Sequence, residues 1–495
     1  MKKAGILMPV ASLPGRFGSG DFGPEAYRFA EDLARAGFSI WQILPLNPVG
    51  YGNSPYQPYS SFAMDELYLS LDLLEQQGLL DHVPDYHVSR NRISYEEVRA
   101  YKERYLRKAF SRFREDLSFM TFSFQEWMRH YALFRTFRKI EGNKPWPEWE
   151  NLAFRDLPLN ESSVDLKQYE DEILYQVFLQ YELFLQWKNL KQHVNDLGLE
   201  IVGDIPFYPG LDSADVWSHR ESFLLDKDGH PRFIAGVPPD CFSEDGQRWG
   251  NPIYNWNNLK KHHYSFWIDR LGYTTRLYDV VRLDHFRAFD TYWKIPASCP
   301  TAREGTWIMA PGKELLDLVR EQIPDLKIVA EDLGELRPQV LKLRDRYQFA
   351  GMNILEFTFD PEREFHTAEN CYVYTGTHDN DPIRAWYQDK SASEKRACRN
   401  WLQKHGYDSG NPCDSLIRVA MNSEAEAAVI PMADFLHLGK EGRINTPSTV
   451  GPQNWSWRMK DFLAFEERIP EIAEMIRSSG RGQVLPLNQN VQNLI

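Results

Sequence analysis

The chain has 495 residues, 42% of them hydrophobic and 26% charged, enough to bury a large core in one barrel with insertions or in two or three smaller domains. A net charge of -13 without any run of Lys and Arg excludes a phosphate-binding surface, so no nucleic-acid partner is expected. The first strand-like stretch begins at Ala4, leaving no room for a signal peptide, and no apolar run is long enough to span a bilayer, so the expected address is the cytoplasm.

Short apolar runs suited to buried parallel strands recur at Gly5–Val10, Ser39–Leu46, Glu200–Phe207, Asp279–Leu283, Leu326–Ala330, Met352–Phe357, Tyr372–Thr375 and Ala427–Met432. Helical periodicity separates several of them, as in Pro24–Ala36, Lys313–Gln322 and Ser393–His405. About eight strands alternating with helices predict an α/β fold, a (β/α)8 TIM barrel forming one domain over residues 1–484. Two gaps are too long for ordinary crossovers. Residues 65–198, between strands two and three, carry aromatic residues at helical spacing (Tyr101, Tyr105, Phe178, Tyr181) and predict an inserted helical subdomain. Residues 208–275, between strands three and four, are rich in Gly, Pro, Asp and Trp and predict a long loop or lid over the barrel mouth. Residues 485–495 read as a C-terminal tail. The cysteines Cys241, Cys299, Cys371, Cys398 and Cys413 are scattered and odd in number, so all are expected to be structural.

Ionisable residues close several of the apolar runs: Asp204, Asp284, Glu331 and Asp379. One such acid could simply cap the next helix, but four in succession at barrel strand ends predict convergence on an active site. Converging carboxylates suit glycoside chemistry, in which one stabilises or attacks the anomeric carbon and another protonates the leaving oxygen. Arg282 lies two residues before Asp284, on the same strand face, and a guanidinium there keeps Asp284 ionised. Glu331 stands beside Asp332, and repulsion among acids raises a carboxyl pKa as a general acid requires.

The segments Gly52-Asn-Ser-Pro-Tyr-Gln-Pro-Tyr, Val281-Arg-Leu-Asp-His-Phe-Arg, Ala330-Glu-Asp-Leu-Gly and Thr375-Gly-Thr-His-Asp-Asn-Asp resemble the motifs of amylomaltases and plant disproportionating enzymes, glycoside hydrolase family 77. The resemblance runs in order from about Ala4 to Phe462. It implies a 4-alpha-glucanotransferase acting on maltodextrins and other α-1,4-glucans as donor and acceptor, through a covalent glycosyl-enzyme intermediate. It further implies Asp284 as nucleophile, Glu331 as acid/base and Asp379 as the carboxylate that binds sugar hydroxyls during ring distortion. Arg282 and His378 position these groups, Tyr56 beside Ser54 stacks on the donor sugar, Asp204 is a further acid at the mouth, and Gln247 and Trp249 belong to a loop that covers glucan. Tyr51 resembles an aromatic of a secondary glucan site. Two departures stand out: Ala288 replaces a glycine, and Glu356 occupies a position where the family has glutamine.

Other readings fare worse on the residues. Gly18-Ser-Gly-Asp-Phe-Gly matches a dinucleotide fingerprint, but strand two ends without an acid for a ribose. A metal hydrolase using His285, His378, Asp284 and Asp379 would set Arg282 against the ion, so no metal or other cofactor is expected. A non-catalytic glucan-binding protein should lack one acid of the trio, and all three are present; a hydrolase would share the intermediate and differ only in the acceptor. No obligatory protein partner is expected.

Overall fold

The computed structural model describes residues 2–86, 91–159, 164–239 and 243–482; the expected tail at 485–495 and Cys241 lie outside them. Twelve strands occur among the described residues. They are β1 (Lys3–Leu7), β2 (Ile40–Gln42), β3 (Glu200–Ile205), β4 (Phe233–Val237), β5 (Gln247–Pro252), β6 (Val280–Leu283), β7 (Thr291–Pro296), β8 (Thr306–Met309), β9 (Ile328–Ala330), β10 (Gly351–Ile354), β11 (Cys371–Tyr374) and β12 (Ala427–Pro431).

Eight of these, in the order β10-β11-β12-β1-β2-β3-β6-β9, pair in parallel, and a bridge between Val329 and Ala350 brings the two edges together. At that seam the Ala330 amide donates to the Ala350 carbonyl at 2.8 Å. The result is the expected (β/α)8 barrel, each strand overlapping one of the eight apolar runs, with β1, β10 and β11 beginning one or two residues earlier. β2 stops at Gln42 because Pro45 and Pro48 lack the amide needed to continue a ladder. The barrel wall tolerates only small residues at tight points. A Cβ on Gly203 of β3 would sit 2.2 Å from the Tyr278 ring, so glycine is required there.

The crossover helices follow ordinary end signals. Helix Pro24–Ala36 begins with proline, whose missing amide costs nothing at a helix start, and ends at Gly37, whose φ of 88° suits glycine. Its buried face meets helix Leu463–Ser478, with Phe29 against Phe462 and Phe465. No helix of the described residues is long and apolar enough to cross a membrane.

Between β2 and β3 the chain builds helices Leu71–Gln76, Tyr95–Arg112, Leu117–Ser123, Glu126–Ile140 and Glu170–Asp196. The aromatic stripes meet: Phe110 and Phe113 pack on Phe178 with centroids 5.5 and 5.0 Å apart. Helix Glu170–Asp196 also spends buried glutamines on the preceding loop, Gln180 Oε1 accepting from the Met64 amide at 2.9 Å and Gln186 Oε1 from the Ser70 amide at 2.8 Å.

The segment after β3 differs from a plain loop. β4 and β5 join β7 and β8 in an antiparallel sheet ordered β5-β4-β7-β8, with helices Trp256–Lys261 and Ser265–Leu277 returning the chain to β6. Its alternation is hard to read because the β4–β5 register shifts between Ile234 and Gly236, and because half of the sheet comes from residues beyond β6. Ile234, Ile295 and Ala302 form a small core of their own, with Trp293 packed against it.

Candidate active site

In a parallel barrel the strand ends and the loops that follow them share one mouth. Asp204 is in β3, Asp284 follows β6, Glu331 follows β9 and Asp379 lies in the loop after β11. Tyr56, Gln57 and Ser54 come from the loop after β2. The Ser54 hydroxyl accepts from the Tyr56 amide at 3.2 Å, so serine shapes the turn that delivers the tyrosine.

Asp204 and Arg282 anchor the floor. Both are buried, and Arg282 Nη1 lies 2.8 Å from each oxygen of Asp204 and 3.0 Å from Asp284 Oδ1. The Tyr56 hydroxyl donates to Asp204 Oδ2 at 2.8 Å, and its ring stacks on His378 at 5.0 Å, 17° from parallel. Burial, with the Asp204 charge behind it, pushes the Tyr56 hydroxyl well above its ordinary range, so it stays protonated.

Asp284 and Glu331 live in different electrostatic worlds although they are neighbours. Asp284 touches the guanidinium of Arg282 and is open to solvent over 29% of its side chain. Burial pushes the Glu331 carboxyl up to about 8; Asp284 pushes the same way, while Arg282 opposes. Backbone donors hold Glu331 in place: the His285 amide to Oε2 at 2.8 Å and the Leu333 amide to Oε1 at 3.2 Å. His285 reaches that position with φ of 49°, a left-handed conformation uncommon outside glycine, and this turn sets its amide toward Glu331. Its imidazole is pushed down to about 4, chiefly by burial, and is therefore neutral at pH 7.

Asp379 is the most open of the trio, at 45% exposure. Asn445 Nδ2 donates to its Oδ1 at 2.7 Å, and Arg443 Nη2 to its backbone carbonyl at 2.8 Å. His378 is buried, with Nε2 3.6 Å from Asp379 Oδ1 and Nδ1 3.5 Å from the Tyr56 hydroxyl. Behind the loop, Asn380 Oδ1 accepts from the Thr377 amide and hydroxyl at 2.9 Å each, and Asn380 Nδ2 donates to Glu356 Oε2 at 3.0 Å. Glu356 Oε1 is buried without a partner. Burial and the Asp434 charge push the Glu356 carboxyl to about 9, so this extra acid is neutral at pH 7.

Trp249, on β5, packs its ring edge-on against His285 at 4.9 Å, and its indole N–H donates to Gln247 Oε1 at 3.1 Å. Gln57 Nε2 ties this strand to the loop after β2, donating to the Trp249 carbonyl at 3.0 Å. Thus every residue singled out in the sequence, Tyr51 aside, joins one connected set at the mouth; Tyr51 is 77% exposed. Three contributors were missed: Asn445, Arg443 and Trp455, whose ring lies 5.7 Å from Tyr56 and 5.8 Å from His378. Topology was the available signal, since the segment after the eighth barrel strand must open onto the same face. Among the described residues, His285, His378, Asp284 and Asp379 do not bring ligand atoms together as a metal site would.

Comparison with known proteins supplies the last observations. A family model described as 4-alpha-glucanotransferase matches residues 8–464. The 4-alpha-glucanotransferase of Clostridium butyricum is 40% identical across 96% of this chain and all of that one. The Thermus thermophilus protein of the same name is 40% identical over 92% of this chain and 94% of its own. An amylomaltase from Streptococcus agalactiae, solved with acarbose, superposes with a TM-score of 0.92 at 33% identity, covering 98% of this chain and all of that one.

Proposed function

The chain belongs to the 4-alpha-glucanotransferase family, and on that premise we propose that Asp284, Glu331 and Asp379 transfer α-1,4-glucan segments by a retaining double displacement. The enzyme takes a segment from one maltodextrin and hands it to another; α-glucans are its substrates. In the first step an Asp284 oxygen attacks the anomeric carbon, the glycosidic C–O bond breaks, and the departing oxygen takes the Glu331 proton. In the second, the acceptor hydroxyl gives its proton to Glu331 and attacks the same carbon, and Asp284 leaves as the carboxylate. Two inversions retain the α configuration.

One observation carries this assignment. Two adjacent carboxyls are driven apart, Asp284 paired with Arg282 at 3.0 Å and Glu331 pushed to about 8 by burial, which divides nucleophile from acid. Asp379, exposed and oriented by Asn445, has its second oxygen available for sugar hydroxyls. Tyr56 offers a ring face at the donor side, fixed by Asp204 and His378, and Ser54, Gln247 and Trp249 complete the substrate-binding set. The chemistry requires no metal and no organic cofactor, and the reading invokes no protein partner.

The test is incubation with maltotriose as sole substrate, which should yield glucose and a ladder of longer maltodextrins. Asp284→Asn should remove nearly all turnover while glucan binding stays measurable, because an amide cannot form the glycosyl ester. Turnover within tenfold of the parent would overturn the nucleophile assignment.

A further inference from the structure

Outside the set just described, three side chains that serve no part of the glucan chemistry converge. Glu126 and His130 stand four residues apart on helix Glu126–Ile140, hence on one face of it, and His219 follows helix Ala214–Ser218 in the segment after β3. One donor atom from each lies within 4.8 Å of the others, and no other such group of three occurs among the described residues. The two imidazole rings are nearly perpendicular, at 88°, with centroids 5.7 Å apart. A tetrahedral ion with metal–nitrogen bonds of about 2.1 Å holds two imidazole centroids about 5.2 Å apart, so a half-ångström adjustment suffices.

The surroundings prepare the site. His219 Nδ1 is committed to Ser218 Oγ at 2.8 Å and to the Asp215 carbonyl at 3.3 Å, which leaves Nε2 with its lone pair for an ion. Such a contact fixes tautomer and ring orientation in metal-binding histidines generally. Asp215 is itself buried and accepts from the Ser61 amide at 2.6 Å, so the backbone behind His219 is rigidly held. Glu126 is exposed and both histidines are half-buried, so an ion can enter from solvent.

We propose that Glu126, His130 and His219 form a binding site for a divalent transition-metal ion of the zinc class. Two imidazoles and a carboxylate suit zinc rather than magnesium or calcium, which prefer oxygen alone. The ion would add a clip between the helical insertion and the segment after β3, which are already joined by contacts such as the Arg138–Asp212 ion pair at 2.9 Å. The role is structural, distinct from transfer.

The experiment uses the full chain, freed of metal with a chelator, and zinc chloride alone as probe, followed by calorimetric titration and by thermal unfolding. One equivalent should bind, and the unfolding temperature should rise with zinc. His219→Ala should weaken binding at least tenfold. Glu126→Gln, at an exposed position that cannot disturb the core, should also weaken it, while Cys299→Ser, which removes a partly exposed thiol, should leave it unchanged. Transfer from maltotriose should proceed undiminished in the metal-free protein. Absence of stoichiometric binding, equal affinity in His219→Ala and Glu126→Gln, or loss of binding with Cys299→Ser would overturn the proposal. So would a metal requirement for transfer, which would mark the ion as catalytic instead.

Discussion

Replacing Glu356 by glutamine should make this protein more stable at neutral pH, and increasingly so as the pH rises. The carboxyl is pushed from its ordinary 4.5 to about 9 by burial and the Asp434 and Asp381 charges, against the Asn380 hydrogen bond and Arg443. An acid with a raised folded-state pKa contributes stability that is fully present below pH 4.5 and is lost as pH rises toward 9. Each pH unit in that window is worth about 1.4 kcal/mol, so the wild-type side chain forfeits at most about 3.5 kcal/mol by pH 7. Glu356 is partly exposed, and screening halves this to roughly 1.5–2 kcal/mol. Glutamine keeps the Asn380 contact but brings a second buried N–H toward the unpartnered Oε1 position, which costs about 1 kcal/mol. The net gain should be about 1 kcal/mol at pH 7 and about 2 kcal/mol at pH 8.5, turning into a loss of about 0.5 kcal/mol at pH 5. Urea unfolding of parent and Glu356→Gln at these three pH values measures it. A stability difference that stays flat, or shrinks as pH rises, would refute a neutral buried Glu356.

Glu331→Gln should slow maltotriose disproportionation by a hundredfold or more, yet cleave an activated glycosyl fluoride far better by comparison, since that leaving group needs no proton; equal losses on both donors would remove Glu331 from the acid role. Because the Glu331 carboxyl is held up to about 8, transfer by the parent enzyme should fall as pH rises through that value, and the glycosyl fluoride reaction of Glu331→Gln should lack this limb in its pH–rate profile. Trp249→Ala removes a ring that packs on His285, next to Asp284, and should raise hydrolysis relative to transfer. The ratio of new reducing ends to bonds exchanged reports it, and an unchanged ratio at lower rate would leave Trp249 as packing only.

The barrel was legible because its strands are buried on both faces and read as continuous apolar runs, as in Ala427–Pro431, where all five residues are buried. The acids were legible because each closes such a run. What the sequence hid is what depends on distant partners. β4 pairs with β7, beyond β6, with Ile234 opposite Ile295, so the strand character of the β4–β5 pair rests on residues far along the chain. Asn445 and Arg443 acquire meaning only when the loop after β12 folds against Asp379. The raised carboxyl of Glu331 was anticipated from its acidic neighbour, but Asp332 is instead paired with Arg344, and burial chiefly lifts Glu331.

One side of the barrel mouth is held by side chains that vouch for one another across the chain: Tyr56 leans on Asp204 and His378, and Trp455 backs both rings. These four residues sit in four different strand-end segments. Grafting any one of those loops from a relative would therefore import a face shaped for companions left behind. An engineer who wants another substrate preference should exchange the loops after β2, β11 and β12 together with Asp204, or else leave them alone and work from the Trp249 side, where contact with the set runs through Gln57 and His285.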